Sequence, residues 1–297
     1  MSKLTKYLII IFISLITIFL IVFNNFWNKN LSNNIIFSYP WNELDFAGEK
    51  LPNVEENYFI KEKFDKEFLN TSYNLYQFFL YVKRLPLYMD FIEDKLDEYN
   101  IPKDFKYLPI AESALRNDVI SEVWAAWIWQ FMPDTAREYK LIVNDDIDER
   151  YNFEKSSIAR IKYLNYLHWL FKNRTLVARA YNRWQNWIKR ALEDQKVDNY
   201  YDLYLNEETT RYVFRILAIK YVILDYESKK SYIDKLIGGV YLWPKIKILQ
   251  VGKINDLKKW AVENWQNYQT IKTLNMWIKK DFLPEWNWEV KVLDISK

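Results

Sequence analysis

The chain has 297 residues, half of them hydrophobic, and 42 Lys+Arg against 39 Asp+Glu leave a formal net charge of only +3. That is long enough to bury a core without staples, and the interspersed charges form no basic stripe of the kind a nucleic-acid partner needs. With no cysteine and a single histidine, disulfides and thiolate nucleophiles are excluded, and a Ser-His-Asp triad or multi-histidine metal site is hard to build.

The N-terminal stretch MSKLTKYLIIIFISLITIFLIVFNNFWNKN places Lys3 and Lys6 before an apolar run, with no further charge until Lys29. As a helix the run from Tyr7 to Phe23, with its flanking polar residues, can span about 30 Å of hydrocarbon. It predicts a single-pass anchor in the cytoplasmic membrane over residues 1–28, N-terminus inside, with the remainder outside the cytoplasm. Residues 29–60, rich in Asn and Pro without a sustained period, read as a tether. From Glu62 to Asn100 apolar residues recur at helical intervals and break near Pro86, which predicts two helices. IPKDFKYLPIAES then puts Phe105, Leu108 and Ala111 on one helical face and Glu112 near its end. MPDTAREY, SSIARIKYLNYLHWLFK and ETTRYVFRILAIKYVI predict three more helices, and His168, inside the second, reads as structural. From Pro244 onward the pattern becomes strand, helical pair, strand.

Four short segments carry chemistry. LPIAES (108–113), IWQFMPDTAREY (128–139), AYN (180–182) and ETTRYVFRILA (208–218) resemble, in order and spacing, the four motifs of the lysozyme-like lytic transglycosylases. The resemblance implies a mainly α chain with a goose-lysozyme-like catalytic domain over residues 61–235, acting on the glycan strands of peptidoglycan without cofactor or metal. It implies Glu112 as the general acid and then base, with Ser113 as its hydrogen-bonding neighbour. Gln130, Phe131, Tyr181, Asn182 and Tyr212 would hold the sugars. For such an acid to stay protonated near neutral pH its pKa must be raised, as burial against apolar walls would do. Glycosidases ordinarily need two carboxylates about 5 to 9.5 Å apart, and the motifs supply one. The acidic run NDDIDER, with Asp145, Asp146, Asp148 and Glu149, falls where the family keeps a structural segment. A lone acid suits a reaction in which the substrate supplies its own nucleophiles, and the resemblance implies that the sugar's C6 hydroxyl attacks C1 and leaves a 1,6-anhydro end. A goose-type hydrolase with the same acid, or an inactive peptidoglycan-binding protein, are the alternatives. Residues 244–297 resemble a LysM module, or else a structural β-α-α-β cap.

One departure from the family is systematic. Glycines of its second motif align with Trp124 and Trp127, and small residues of its third with Trp184 and Trp187, whereas Trp129 matches a tryptophan. Sugar stacking, core packing and the reading of UGA codons, which mean glycine in some bacterial lineages, compete as explanations. An average composition gives about 21 glycines in this length, a number that the 4 Gly and 14 Trp together approach. Four bulky residues at glycine positions could cost roughly 4 to 12 kcal/mol, against a total stability of about 5 to 15. Recoding is the reading these magnitudes favour, and Trp265 and Trp286 would share it.

Overall fold

The computed structural model describes residues 12, 14–19, 37–40, 44–53, 57–121, 124–182 and 185–295, apart from the side chains of 207–209. It divides into two compact units, residues 1–40 and 41–297. In the first, Ser14 to Phe19 are helical and exposed. Most of the predicted membrane anchor lies outside the described residues, among which no helix is long and apolar enough to cross a membrane.

The second unit is mainly helical. It opens with a hairpin, β1 (Asp45–Phe46) and β2 (Glu49–Lys50), turned by Ala47 and Gly48 at φ of 55° and 81°. Phe46 is fully buried, edge-on to Phe105 at 5.2 Å, and Lys220 clamps the hairpin through Asp45 and Asp104 at 3.1 and 2.8 Å. Leu44, Phe46, Ala47 and Leu51 are therefore packed, within the stretch predicted as a tether. Two-residue strands are too short to print a period in the sequence.

Helices α1 (Tyr58–Tyr73) and α2 (Leu75–Glu98) follow, and the break falls at Asn74 instead of Pro86. Asn74 ends one helix and caps the next, its side chain accepting from Gln77 N at 3.2 Å. Pro86 sits inside α2, where a proline ordinarily costs about 3 kcal/mol by removing a hydrogen bond. Bonds from outside the helix brace that turn. Tyr241 N donates to the Lys83 carbonyl and Trp243 Nε1 to the Leu87 carbonyl, both at 2.8 Å.

After a 3₁₀ turn (Lys103–Tyr107) come α3 (Leu108–Ser113), α4 (Pro133–Glu138) and α5 (Phe153–Phe171). Helices α6 (Arg174–Asn182) and α7 (Gln185–Gln195), which the sequence reading did not assign, precede α8 (Glu207–Ser228) and α9 (Lys230–Leu236). Helix α8 is the centre: Val213, Ile216, Leu217, Ala218 and Val222 are buried, and it packs against α1, α3 and α6. A helix apolar on most sides belongs in a core. The chain ends in β3 (Ile246–Val251), α10 (Leu257–Glu263), α11 (Tyr268–Leu274) and β4 (Trp288–Leu293), with β3 and β4 antiparallel from Ile246↔Leu293 to Val251↔Trp288. This βααβ unit is joined to the helices by Lys291 on Glu154, at 2.6 and 2.7 Å, and by an isolated bridge between Ile147 and Ile278.

One charged contact fixes α1 against α8. Glu67 is fully buried and receives Arg211 and, at 3.4 Å, Arg215. Arg211→Met leaves that buried carboxylate with only the longer contact and is expected to cost about 3 kcal/mol. Glu67→Leu removes the charge and refills its space, so it should cost less. Urea unfolding of both variants checks the order.

Candidate active site

Glu112 stands in the last turn of α3, whose Leu108 and Ile110 are buried while Ala114 ends the helix in a left-handed conformation at φ 58°. The short helix thus holds the carboxyl against α8. Tyr212 donates its hydroxyl to Glu112 Oε1 at 2.5 Å, and Asn182, at the end of α6, adds a second hydrogen bond. Asn182 is oriented in turn by Arg179, which donates to its Oδ1 at 3.0 Å. Burial pushes the Glu112 carboxyl above its ordinary pKa, while the Tyr212 hydroxyl, Arg160, Asn182 and Arg215 pull the other way and burial prevails. Tyr212, buried beside it, is held well above the usual phenol value for the same reason.

The structure brings Glu112, Asn182 and Tyr212 into direct contact. The other predicted residues are arranged differently. Ser113 is buried, and its hydroxyl lies within 3.1 Å of the Pro109 carbonyl and 2.9 Å of the Ile128 carbonyl. Its predicted hydrogen bond with Glu112 is replaced by a tie between α3 and the Trp127–Gln130 turn, because adjacent helical residues point in different directions. Phe131 is fully buried and packs on Ala136, Leu141 and Ala159, so it backs the site instead of lining it. Gln130, half-buried at φ 46°, donates its amide to the Trp127 carbonyl at 2.8 Å. Tyr181 is buried and donates its hydroxyl to the Trp129 carbonyl at 3.1 Å.

The residue that joins these pieces was missed. Arg160 of α5 lies 4.2 Å from the Phe131 ring centre and 4.3 Å from that of Tyr181. Its guanidinium donates to the carbonyls of Trp129 and Gln130 at 2.9 and 2.8 Å. The available signal was its place on the stripe Phe153, Ser157, Leu164, Leu167, where an arginine is out of character. Of the acidic run, Asp148 pairs with Arg150 at 2.7 Å, and Glu149 binds Lys155 Nζ at 2.5 Å and Ile142 N at 2.8 Å, both in structural roles. His168 is exposed on α5.

Two hollows lie nearby. One of about 240 Å³ is lined by Asn70, Gln77, Tyr81, Ala111, Ala114 and Arg215. The other, about 260 Å³, lies between α2, Phe153 and the C-terminal Trp277, and neither is lined by any of the predicted site residues.

The tryptophans separate by environment. Trp129 is fully buried with its indole N–H on Ser157 Oγ at 2.8 Å. Trp124 and Trp127 hold φ of 65° and 67°, and Trp265 one of 58°. Trp127 is packed edge-on to Tyr88 and Phe153, yet its buried indole N–H has no acceptor among the described residues. Trp187 is helical, in α7, where a glycine has no conformational advantage, and Trp184 lies outside the described residues.

Residues 90–203 match the family described as the transglycosylase SLT domain. Membrane-bound lytic murein transglycosylase D of Escherichia coli K12 is 30% identical over 184 residues, covering 60% of this chain and 40% of that protein. A putative tributyltin chloride resistance protein of an Alteromonas strain is 26% identical over 81 residues, covering 27% of this chain and 39% of that protein. Among solved structures, the 70-kDa soluble lytic transglycosylase of E. coli is 19% identical, with a TM-score of 0.42, over 59% of this chain and 30% of that one. The chain thus spans less than half the length of the relatives it matches. Within the matched residues lie Glu112, Arg160 and Asn182; Tyr212 comes to them from α8, beyond their end.

The raised pKa of Glu112 has a cost in stability. A carboxyl that binds its proton more tightly folded than unfolded contributes fully below its unfolded value, and that contribution is lost as pH rises through the folded one. Glu112→Gln, neutral throughout, should therefore melt above the parent at pH 7 to 8 and level with it below about pH 4. Thermal unfolding at both pH values tests this.

Proposed function

We propose that this chain cleaves the β-1,4 bond between N-acetylmuramic acid and N-acetylglucosamine in peptidoglycan, leaving a 1,6-anhydro end, with Glu112 as its one acid and base. The observation that carries the reading is the setting of that carboxyl. Burial favours its protonated form, and the charged groups that act on it are arginines, Arg160 and Arg215. The protonated acid gives its proton to the glycosidic oxygen as the C1–O bond breaks, with the N-acetyl oxygen assisting departure. The C6 hydroxyl then closes on C1 and its proton returns to the Glu112 carboxylate. No water is consumed. Tyr212 and Asn182 hold the carboxylate between the two steps, and the oxygen of the Gln130 amide, whose nitrogen is occupied by Trp127, is left to accept from a sugar hydroxyl.

On purified peptidoglycan, Glu112→Gln is expected to lower release of anhydro-muropeptides by about 100-fold or more. Mass spectrometry of the products decides the chemistry, since fragments heavier by one water would assign goose-type hydrolysis instead. The apolar run after Lys3 and Lys6 supports a membrane anchor with the catalytic part outside the cytoplasm. The contacts of the βααβ unit with Glu154 and Ile147 favour its role as a cap, and glycan binding by it remains the LysM-like alternative.

Trp124, Trp127 and Trp265 are read as glycines in the protein's own host. A left-handed backbone costs a side-chain-bearing residue about 1 to 2 kcal/mol, and a buried N–H without a partner about 1 to 3 more. Both penalties fall on Trp127 and neither on Trp129. The reading requires UGA at 124, 127 and 265 and UGG at 129 in the coding DNA. In the literal chain Trp124→Gly should raise stability by about 1 kcal/mol, and Trp129→Gly should lower it by about 3 or more, as urea unfolding would measure.

A further inference from the structure

A row of aromatic rings leaves the Glu112 site along the outside of α5. It begins at Tyr181, which is buried and electrostatically coupled to Glu112. Tyr163 follows at 6.3 Å, Tyr166 at 6.5 Å from Tyr163, and Trp169 at 6.3 Å from Tyr166. The last two steps are nearly parallel, at 22° and 26°. Positions 163, 166 and 169 are spaced three apart, so each ring sits above the previous one on the same helix face.

Exposure rises steadily along the row: 5% at Tyr181, 9% at Tyr163, 39% at Tyr166 and 71% at Trp169. Gln185 fastens its middle, its Oε1 accepting from the Tyr163 hydroxyl at 3.1 Å and its Nε2 donating to the Tyr166 hydroxyl at 3.4 Å. A chance scatter of surface aromatics would not grade from the site outward. The row's chemistry is that of a sugar platform, in which flat apolar faces meet the C–H faces of pyranose rings while phenol and amide groups meet hydroxyls.

We infer that Tyr166 and Trp169, continuing from Tyr181 and Tyr163, bind sugar residues of the glycan strand beyond those held at Glu112, so that long strands are preferred over short fragments. The inference rests on the proposed glycan substrate. Its occupant is set by continuity with that site, the ring contacts running unbroken from Tyr181 to Trp169.

The test is binding of the full-length Glu112→Gln chain to peptidoglycan glycan strands sorted by length. Adding Tyr166→Ala and Trp169→Ala together should weaken binding of long strands by about tenfold while changing binding of a tetrasaccharide by less than about twofold. Trp169→Phe, which keeps a ring, should recover most of the loss. Tyr204→Ala, at a fully separate exposed tyrosine, is the control for general surface effects. An equal loss for both lengths, or none for long strands, overturns the inference. Absence of cleavage products from the unsubstituted chain would sink the enzymatic reading instead, whatever the length dependence of binding.

Discussion

Everything around the site follows from keeping one carboxyl in poor solvent. A glutamate in water is ionised at neutral pH and cannot give up a proton, so its surroundings must stabilise the charge less well than water does. Helix α8 does this by bringing Tyr212 and an apolar face against α3. The surroundings cannot be wholly apolar, because in the proposed reaction the same group must exist as a carboxylate between the two steps. Tyr212, Asn182 and two arginines meet that second demand without overturning the first. The site is a balance in which desolvation holds the upper hand.

That balance depends on packing far from the chemistry. α8 is held by α1 through the buried Glu67 and its arginines, and one of these, Arg215, also acts on Glu112. The guanidinium is therefore shared between a structural partner and the functional one. The hairpin at Asp45–Lys50 is tied to the same helix by Lys220. These contacts set the distance between α3 and α8, and that distance decides how much water reaches the acid.

Elements with a strong period and a clear boundary residue were legible in the sequence. Pro133 opens α4 where the turn chemistry places it, the stripe from Phe153 to Leu167 marks α5, and the β-α-α-β order after Pro244 is visible in the alternation of Ile246 to Val251. The break between α1 and α2 was misplaced because propensity rules weigh Pro86 heavily, whereas the bonds from Tyr241 and Trp243 that tolerate it reach far along the chain, the second over 156 positions. Tertiary contacts of that kind leave no local trace. The same holds for the site. Motif spacing singled out Glu112 and Tyr212, whose side chains meet, but it carries no information on where a side chain turns. Ser113 was therefore expected on Glu112 while its hydroxyl lies on the Pro109 and Ile128 carbonyls, and Phe131 was expected on the sugars while it is packed on Ala136, Leu141 and Ala159. Arg160 belongs to no motif, and only its neighbours give it meaning.

The carbonyl of Trp129 accepts from both Arg160 and Tyr181, and the Arg160 guanidinium lies between the rings of Tyr181 and Phe131. Four residues from three segments of the chain thus converge on one peptide oxygen and one cation. Groups that share a partner do not contribute independently: removing one changes what the others are worth. Positions 129, 131, 160 and 181 therefore form a linked set, in which a change at one is tolerated only against particular residues at the rest.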